Sequence, residues 1–284
     1  MHKEKYIMLK IGFIDYYLDE WHANQYPAWI KEASQGEMKV THAYAMIDSP
    51  KGGLTTDQWC EQFQVKKCET IDEVIAACDA LIVLSPDNAE MHLALCEKPL
   101  KSKKPVYVDK TFAPDEETAK KIFAFAEESG TPCYSTSALR YAAEYTALDK
   151  SKICGMATWG PNGMEIYSIH QLEPITMLMQ QRAKRVMYLA GGCWGSLNIE
   201  FSDGRTATMA HFEGGAPFMA QVCLEDGNQT LSITSNFWSE FIRVLIQFFK
   251  DQKEPVSHQE TLNVMAVREA GIKAVKTPGQ WIEI

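Results

Sequence analysis

The chain has 284 residues, which is long for one hydrophobic core and suits two domains. Its hydrophobic fraction of 46% and charged fraction of 23% are those of an ordinary globular protein. A net charge of −9 argues against nucleic acid or an anionic membrane as partner, because both select a cationic face.

In chain order, Tyr6 to Ile14 reads as an apolar strand, followed by a helix from about Glu20 to Ala33 and a strand from Met38 to Ile47. Thr55-Thr56-Asp57 supplies an N-cap for a helix over Thr55 to Phe63, and Ile71 to Ala77 is the next helix, with Thr70 or Asp72 at its start. Asp79 to Leu84 carries an apolar run suited to a parallel strand buried on both faces, and Ser85-Pro86 stops it. Asn88 to Leu100 is helical, Val106 to Val108 is a short strand, and Asp115 to Ser129 is an amphipathic helix ended by Gly130. Repeated β-α units of this kind imply a parallel sheet with right-handed crossovers.

From about Gly155 the pattern changes. After a helix over Ser168 to Gln181 come alternating stretches at Val186 to Leu189, Ser196 to Phe201, Thr206 to Phe212, Phe218 to Leu224 and Thr230 to Thr234. Asp203-Gly204 and Asp226-Gly227 between them are hairpin signals. Helices over Phe237 to Lys250 and Gln259 to Val275 close the chain. The expected organisation is an α/β parallel-sheet domain over residues 1–136 and an α+β domain over residues 137–284. No apolar run is long enough to span a bilayer, and Met1 to Lys10 lacks the apolar stretch of a secretory leader. The eight cysteines include no Cys-x-x-Cys pair and several have apolar neighbours, which suits reduced, structural thiols in a cytoplasmic chain.

Lys110 is the residue with most chemical promise. It follows Val106-Tyr107-Val108, at the strand end where open parallel α/β sheets bind ligands. A solvated loop lysine is the plain alternative. Asp48, at the end of the second strand, is of the type that holds a ribose diol. Ser49-Pro50-Lys51-Gly52-Gly53 after it suits either a phosphate or an ordinary turn. His170 and Glu173, three residues apart, share a helical face. A histidine beside a carboxylate suits proton transfer at neutral pH, the alternative being a plain surface pair. Asp15, Asp19, His22 and Asp48 are too irregularly spaced to suggest a metal site. Tyr16, Tyr17, Trp21, Tyr26 and Trp29 around the first turn read as packing.

Taken in order, these pieces resemble the glucose–fructose oxidoreductase, inositol dehydrogenase and rhizopine-catabolism (Gfo/Idh/MocA) family over essentially the whole chain. Ser85-Pro86 through His92 is similar to the family's Thr-Pro…His turn, and Asp109-Lys110-Thr111 stands where the family carries Glu-Lys-Pro. Arg140 lies where an arginine follows the sixth strand. The ending, from Pro255-Val256-Ser257 through Glu260-Thr261-Leu262 and Glu269-Ala270 to Gly279-Gln280-Trp281, follows the family's closing pattern.

The resemblance implies a Rossmann-like domain followed by an open antiparallel sheet that carries substrate and subunit contacts, hence a homodimer or homotetramer. It implies an NAD- or NADP-dependent oxidoreductase acting on a sugar, polyol or derivative. Lys110, His170 and Glu173 would be catalytic; Asp48, Ser85, Pro86, His92 and Asp109 would contact cofactor; Arg140 would contact substrate. No metal is implied.

Three departures qualify this. Counting back from His22, the three positions of the family's glycine loop hold Ile14, Tyr16 and Asp19, with Asp15 and Glu20 adding carboxylates where a diphosphate should sit. Like charges about 4 Å apart repel by on the order of 1 to 4 kcal/mol, so weak dinucleotide binding is expected, by roughly one to three decades. Thr176 occupies the position of the family's catalytic histidine, leaving His170 to take the role. Thr111 replaces a proline, which removes the easy route to a cis peptide. The competing expectations are a member that has lost its cofactor and serves as a binding or regulatory protein, and a lyase or epimerase using Lys110 for acid–base work alone.

Overall fold

A computed structural model describes residues 8–50 and 52–284, so Tyr6 and Ile7 of the first expected strand, and Lys51, lie outside the described residues. The chain divides into two compact units. One comprises the chain up to Ala113, together with Lys120–Ser135 and Phe241–Ser257; the other comprises Pro114–Ala119, Thr136–Glu240 and His258–Ile284.

In the first unit, β1 (Leu9–Asp15), β2 (Met38–Ala45), β3 (Lys66–Lys67), β4 (Ala80–Val83), β5 (Val106–Val108) and β6 (Cys133–Ser135) form one sheet in the order β3-β2-β1-β4-β5-β6. Every neighbouring pair is parallel. β4 and β5 are buried at every position, as expected of strands covered on both faces. The helices are α1 (Trp21–Ala33), α2 (Thr56–Phe63), α3 (Ile71–Ala77), α4 (His92–Leu100) and α5 (Glu116–Ser129). Local signals set their starts. Thr55 and Gln58 form a reciprocal capping box at α2, and the Thr70 hydroxyl accepts the Glu73 N–H at α3. The strand order reverses between β1 and β4, and in such sheets the crevice beyond those strand ends is the usual ligand site.

One glycine in β1 is dictated by packing. A Cβ on Gly12 would lie 2.3 Å from Val74 Cγ1 and 3.1 Å from Cys78 Sγ. Valine is stiff at χ1 and cannot swing aside. Gly12→Ala is therefore expected to cost about 1–3 kcal/mol, read as a lower urea midpoint with an unchanged slope; an unshifted midpoint would show that α3 yields freely.

In the second unit, a short helix α6 (Ala143–Thr146) precedes β7 (Ile153–Pro161) and α7 (Met164–Met179). Strands β8 (Ala183–Ala190), β9 (Trp194–Phe201), β10 (Thr206–Phe212), β11 (Met219–Leu224) and β12 (Gly227–Ser232) follow, then α8 (Phe237–Asp251), α9 (His258–Val275) and β13 (Trp281–Glu283). The sheet order is β12-β11-β7-β10-β9-β8-β13. It is mostly antiparallel but mixed, because β10 pairs with β7 in parallel. The sequence reading has no strand at β7 or β13. In β7, Gly155 and Gly160 dilute the alternation that signals a strand, and β13 has only three residues. α7 packs against β7 and α9, and starts four residues before the expected Ser168.

A cut after residue 136 leaves α8 with the second domain, whereas from Phe241 it clusters with the first unit. The cause is aromatic. Phe241 lies 5.7 Å from the Tyr26 ring and 5.4 Å from Tyr107, and Phe248 meets Tyr134 edge-on at 4.7 Å.

Candidate functional site

Lys110 follows β5, and its amine lies 3.4 Å from the carbonyl oxygen of Pro86, in the turn after β4. Ser85 in that turn has a left-handed backbone (φ 82°) and donates its hydroxyl to the Asn88 carbonyl. His92 ties the two loops together. Its imidazole sits, fully buried, with Nε2 2.5 Å from the Leu84 carbonyl oxygen and Nδ1 3.0 Å from that of Phe112. Burial lowers its pKa although both carbonyls favour a proton. The Lys110–Thr111 peptide is cis, so threonine keeps the geometry it was expected to forgo.

Asp109 is buried and fully engaged. Its carboxylate accepts the Tyr107 hydroxyl at 3.0 Å and the Lys110 N–H at 2.9 Å, and pairs with the His22 imidazole. Burial opposes its charge, yet His22 and Lys110 hold its pKa below the usual value. His22 in turn stacks flat on Tyr26, 5.2 Å between ring centres.

The start of α1 is closed by its own chain. Glu20 is the N-cap, and its carboxylate accepts the N–H groups of His22 (2.7 Å) and Ala23. Burial raises its pKa to about 7 against the pull of His22. Behind it Asp15 is wholly buried; Oδ1 takes the Tyr16 N–H at 2.7 Å, while Oδ2 has no partner among the described residues. Burial, and then the Glu20 charge, raise the Asp15 pKa well above the usual value. Asp19 accepts the Leu54 N–H at 2.8 Å and the Asn24 amide at 3.1 Å. Asp48 accepts the Thr56 N–H at 2.7 Å, acting at the start of α2, and this bond lowers its pKa.

In the second unit, the Arg140 guanidinium is buried between two carboxylates, 2.8 Å from Glu173 and 2.5 Å from Glu260. Glu173 also accepts the Thr136 hydroxyl at 3.2 Å. Burial pushes the Glu173 carboxyl up to about 7 even with Arg140 beside it. One helical turn back along α7, His170 is half-buried, and its Nδ1 lies 2.7 Å from the hydroxyl of the buried Ser137. The hydroxyl holds the imidazole in place whichever of the two donates. Sequence reading gave no site role to Ser137 or Glu260. No spacing rule links position 137 to 170 or 140 to 260; only the fold brings them together. Among the described residues, no group of three metal-ligating side chains gathers, and no helix is long and apolar enough to cross a membrane.

Residues 24–137 match the profile of an oxidoreductase family with an NAD-binding Rossmann fold, Gfo/Idh/MocA. Over that stretch the chain is similar to the Gfo/Idh/MocA oxidoreductases. The fold agrees over the full length. Myo-inositol dehydrogenase from Lactobacillus casei, solved with NAD(H) and myo-inositol, is 13% identical with a TM-score of 0.81, covering 98% of this chain and 97% of that one. GenD2 from gentamicin A biosynthesis, solved with NAD, is 13% identical with a TM-score of 0.79, covering 100% and 99%. A probable dehydrogenase from Thermotoga maritima is 14% identical with a TM-score of 0.79, covering 97% and 98%. Comparison with curated protein sequences gives no match.

The Gfo/Idh/MocA match begins at residue 24, just past the 14–22 loop. That loop does not fit a dinucleotide in the usual pose. A diphosphate on a Rossmann helix needs close backbone approach and free N–H donors. Here Tyr16 puts a side chain where the approach should be, and the donors of Tyr16, His22, Ala23 and Leu54 already serve Asp15, Glu20 and Asp19.

Proposed function

We propose that the protein is an oxidoreductase of the Gfo/Idh/MocA type acting on a secondary alcohol of a sugar, polyol or derivative. The observation that supports this best is Lys110 at the end of β5, locked in place by Asp109, His22, Tyr107 and His92. Four buried side chains spent on presenting one lysine are unusual in a merely solvated loop. The relatives solved with inositols support the substrate class. The Lys110 ammonium stabilises the substrate oxygen as its proton leaves. His170, held by Ser137, is the second proton-handling group. Glu173 and Arg140 neutralise one another and brace α7, a positioning role rather than substrate contact. Asp48, Ser85, Pro86, His92 and Asp109 shape the loops at the sheet's carboxyl end.

The test is a panel of inositols, aldoses and aldonates at millimolar NAD+ and NADP+, followed by reduced-nicotinamide absorbance. Turnover on one polyol class, lost in Lys110→Met, is the expected result. The self-capped α1 favours a second reading, a member that binds such a ligand without redox turnover. Calorimetric binding of a polyol with no turnover under either cofactor would replace the first reading by the second. Assembly as a homodimer or homotetramer is proposed through the second unit's sheet, whose strands β8, β9 and β13 expose Leu189, Trp194 and Trp281. Sedimentation reads that directly. A cytoplasmic location accords with eight cysteines that form no disulfide.

A further inference from the structure

Helix N-termini bind phosphate because their first N–H groups lack partners within the helix. In α1 two of those groups, on His22 and Ala23, point at a carboxylate supplied by the preceding residue. We propose that Glu20 is an internal occupant of the diphosphate seat, so that a dinucleotide reaches α1 only by displacing this side chain. The inference deepens the oxidoreductase reading and rests on it.

The geometry carries it in three ways. First, Glu20 satisfies the same donors that a phosphate oxygen would take, so the two anions exclude each other by position as well as by charge. Second, the carboxylate is held. It is 8% exposed, with Asp15 behind it and, beyond His22, the Asp109 pair and the Tyr26 ring. Third, the donor next along the crevice is also spoken for. Asp19 takes the Leu54 N–H, and a Cβ on Gly53 would lie 2.1 Å from Asp19 Oδ2, so that carboxylate fills the concavity of the glycine turn. Asp19 thus closes the glycine turn as Glu20 closes the start of α1.

Substitution at residue 20 separates occupancy from mere charge. Glu20→Ser keeps a capping hydroxyl and so preserves α1, while it shortens the side chain and removes the charge. Glu20→Gln removes the charge but keeps the length. Calorimetry on the full chain at low salt, with NAD+ and NADP+ as probes, should give a wild-type dissociation constant above roughly 100 μM, about −5.5 kcal/mol or weaker. Glu20→Ser should bind at least about tenfold tighter, with Glu20→Gln between the two. A thermal melt of each variant accompanies the titration. Micromolar binding by the wild type, or Glu20→Ser no tighter than wild type, overturns the inference. Should Glu20→Ser fail to fold, Glu20→Gln decides alone, tightening supporting the inference and no change overturning it. Binding is read without turnover, so tighter binding in an inactive protein would sink the oxidoreductase reading and leave the Glu20 inference standing.

Discussion

Lys110→Met should lower kcat by about 10²- to 10⁴-fold, the usual span for loss of one acid–base group, and leave the fold intact. The fold should survive because the bonds that shape the turn come from elsewhere. The Lys110 N–H still reaches Asp109, and His92 still bridges the Leu84 and Phe112 carbonyls. The amine contributes its contact with the Pro86 carbonyl and part of the field that keeps Asp109 ionised, the larger part of which comes from His22. Loss should fall on kcat more than on KM if the ammonium acts mainly as the substrate oxygen gains charge. Lys110→Arg should fail as well, since the planar guanidinium is larger than the ammonium it replaces. His170→Gln should be the milder change, because Ser137 can still hydrogen-bond the amide and part of the positioning persists. Each variant is melted beside its assay. Near-normal turnover in Lys110→Met would remove this lysine from the mechanism.

Arg140→Met should destabilise the protein by about 3–5 kcal/mol, the usual result of stranding a buried charge. It leaves Glu173 and Glu260 facing each other without the cation between them. The deficit has a definite pH dependence. With its folded pKa raised to about 7, Glu173 binds a proton in the native state that the unfolded chain releases near pH 4.5. Its contribution to stability is therefore fully present below about pH 4.5 and is lost as pH rises through about 7. Removing Arg140 takes away the group that most favours the Glu173 charge and leaves only the Thr136 hydroxyl, so the variant should lose most ground to wild type on the alkaline side. Urea unfolding at about pH 5.5 and about pH 8 checks both size and sign. Equal deficits at the two values would mean that Glu173 is not the group responsible.

Much of the first unit was readable because its signals are local. Thr55-x-x-Gln58 and Thr70-x-x-Glu73 mark helix starts, and Ala80 to Val83 is apolar on both faces because it is a central strand. The position of Lys110 just past β5 was readable from the short apolar run before it. The loop from Asp15 to His22 was read only in part. Its carboxylates were seen as charges facing a ligand, whereas the structure turns them inward. Glu20 caps its own helix, Asp19 caps the Gly53–Leu54 turn, and burial raises the Asp15 pKa. That outcome depends on burial and on Asp109, 87 residues away from His22, and neither quantity is written in the loop itself. Arg140 tells the same story. Its position was legible, but Glu260, which occupies half of its guanidinium, lies 120 residues further on.

The return of α8 to the first unit bears on how this chain is made. The rings of Tyr26, Tyr107 and Tyr134 await Phe241 and Phe248, which are synthesised more than a hundred residues later than β6. At about 5–20 residues per second, the ribosome needs several seconds or more to deliver them. During that interval the nascent parallel sheet presents an unroofed aromatic face, open to chaperones and to its neighbours on the same message. A fragment ending near residue 136 would keep that face permanently, and should associate with itself rather than stay monomeric.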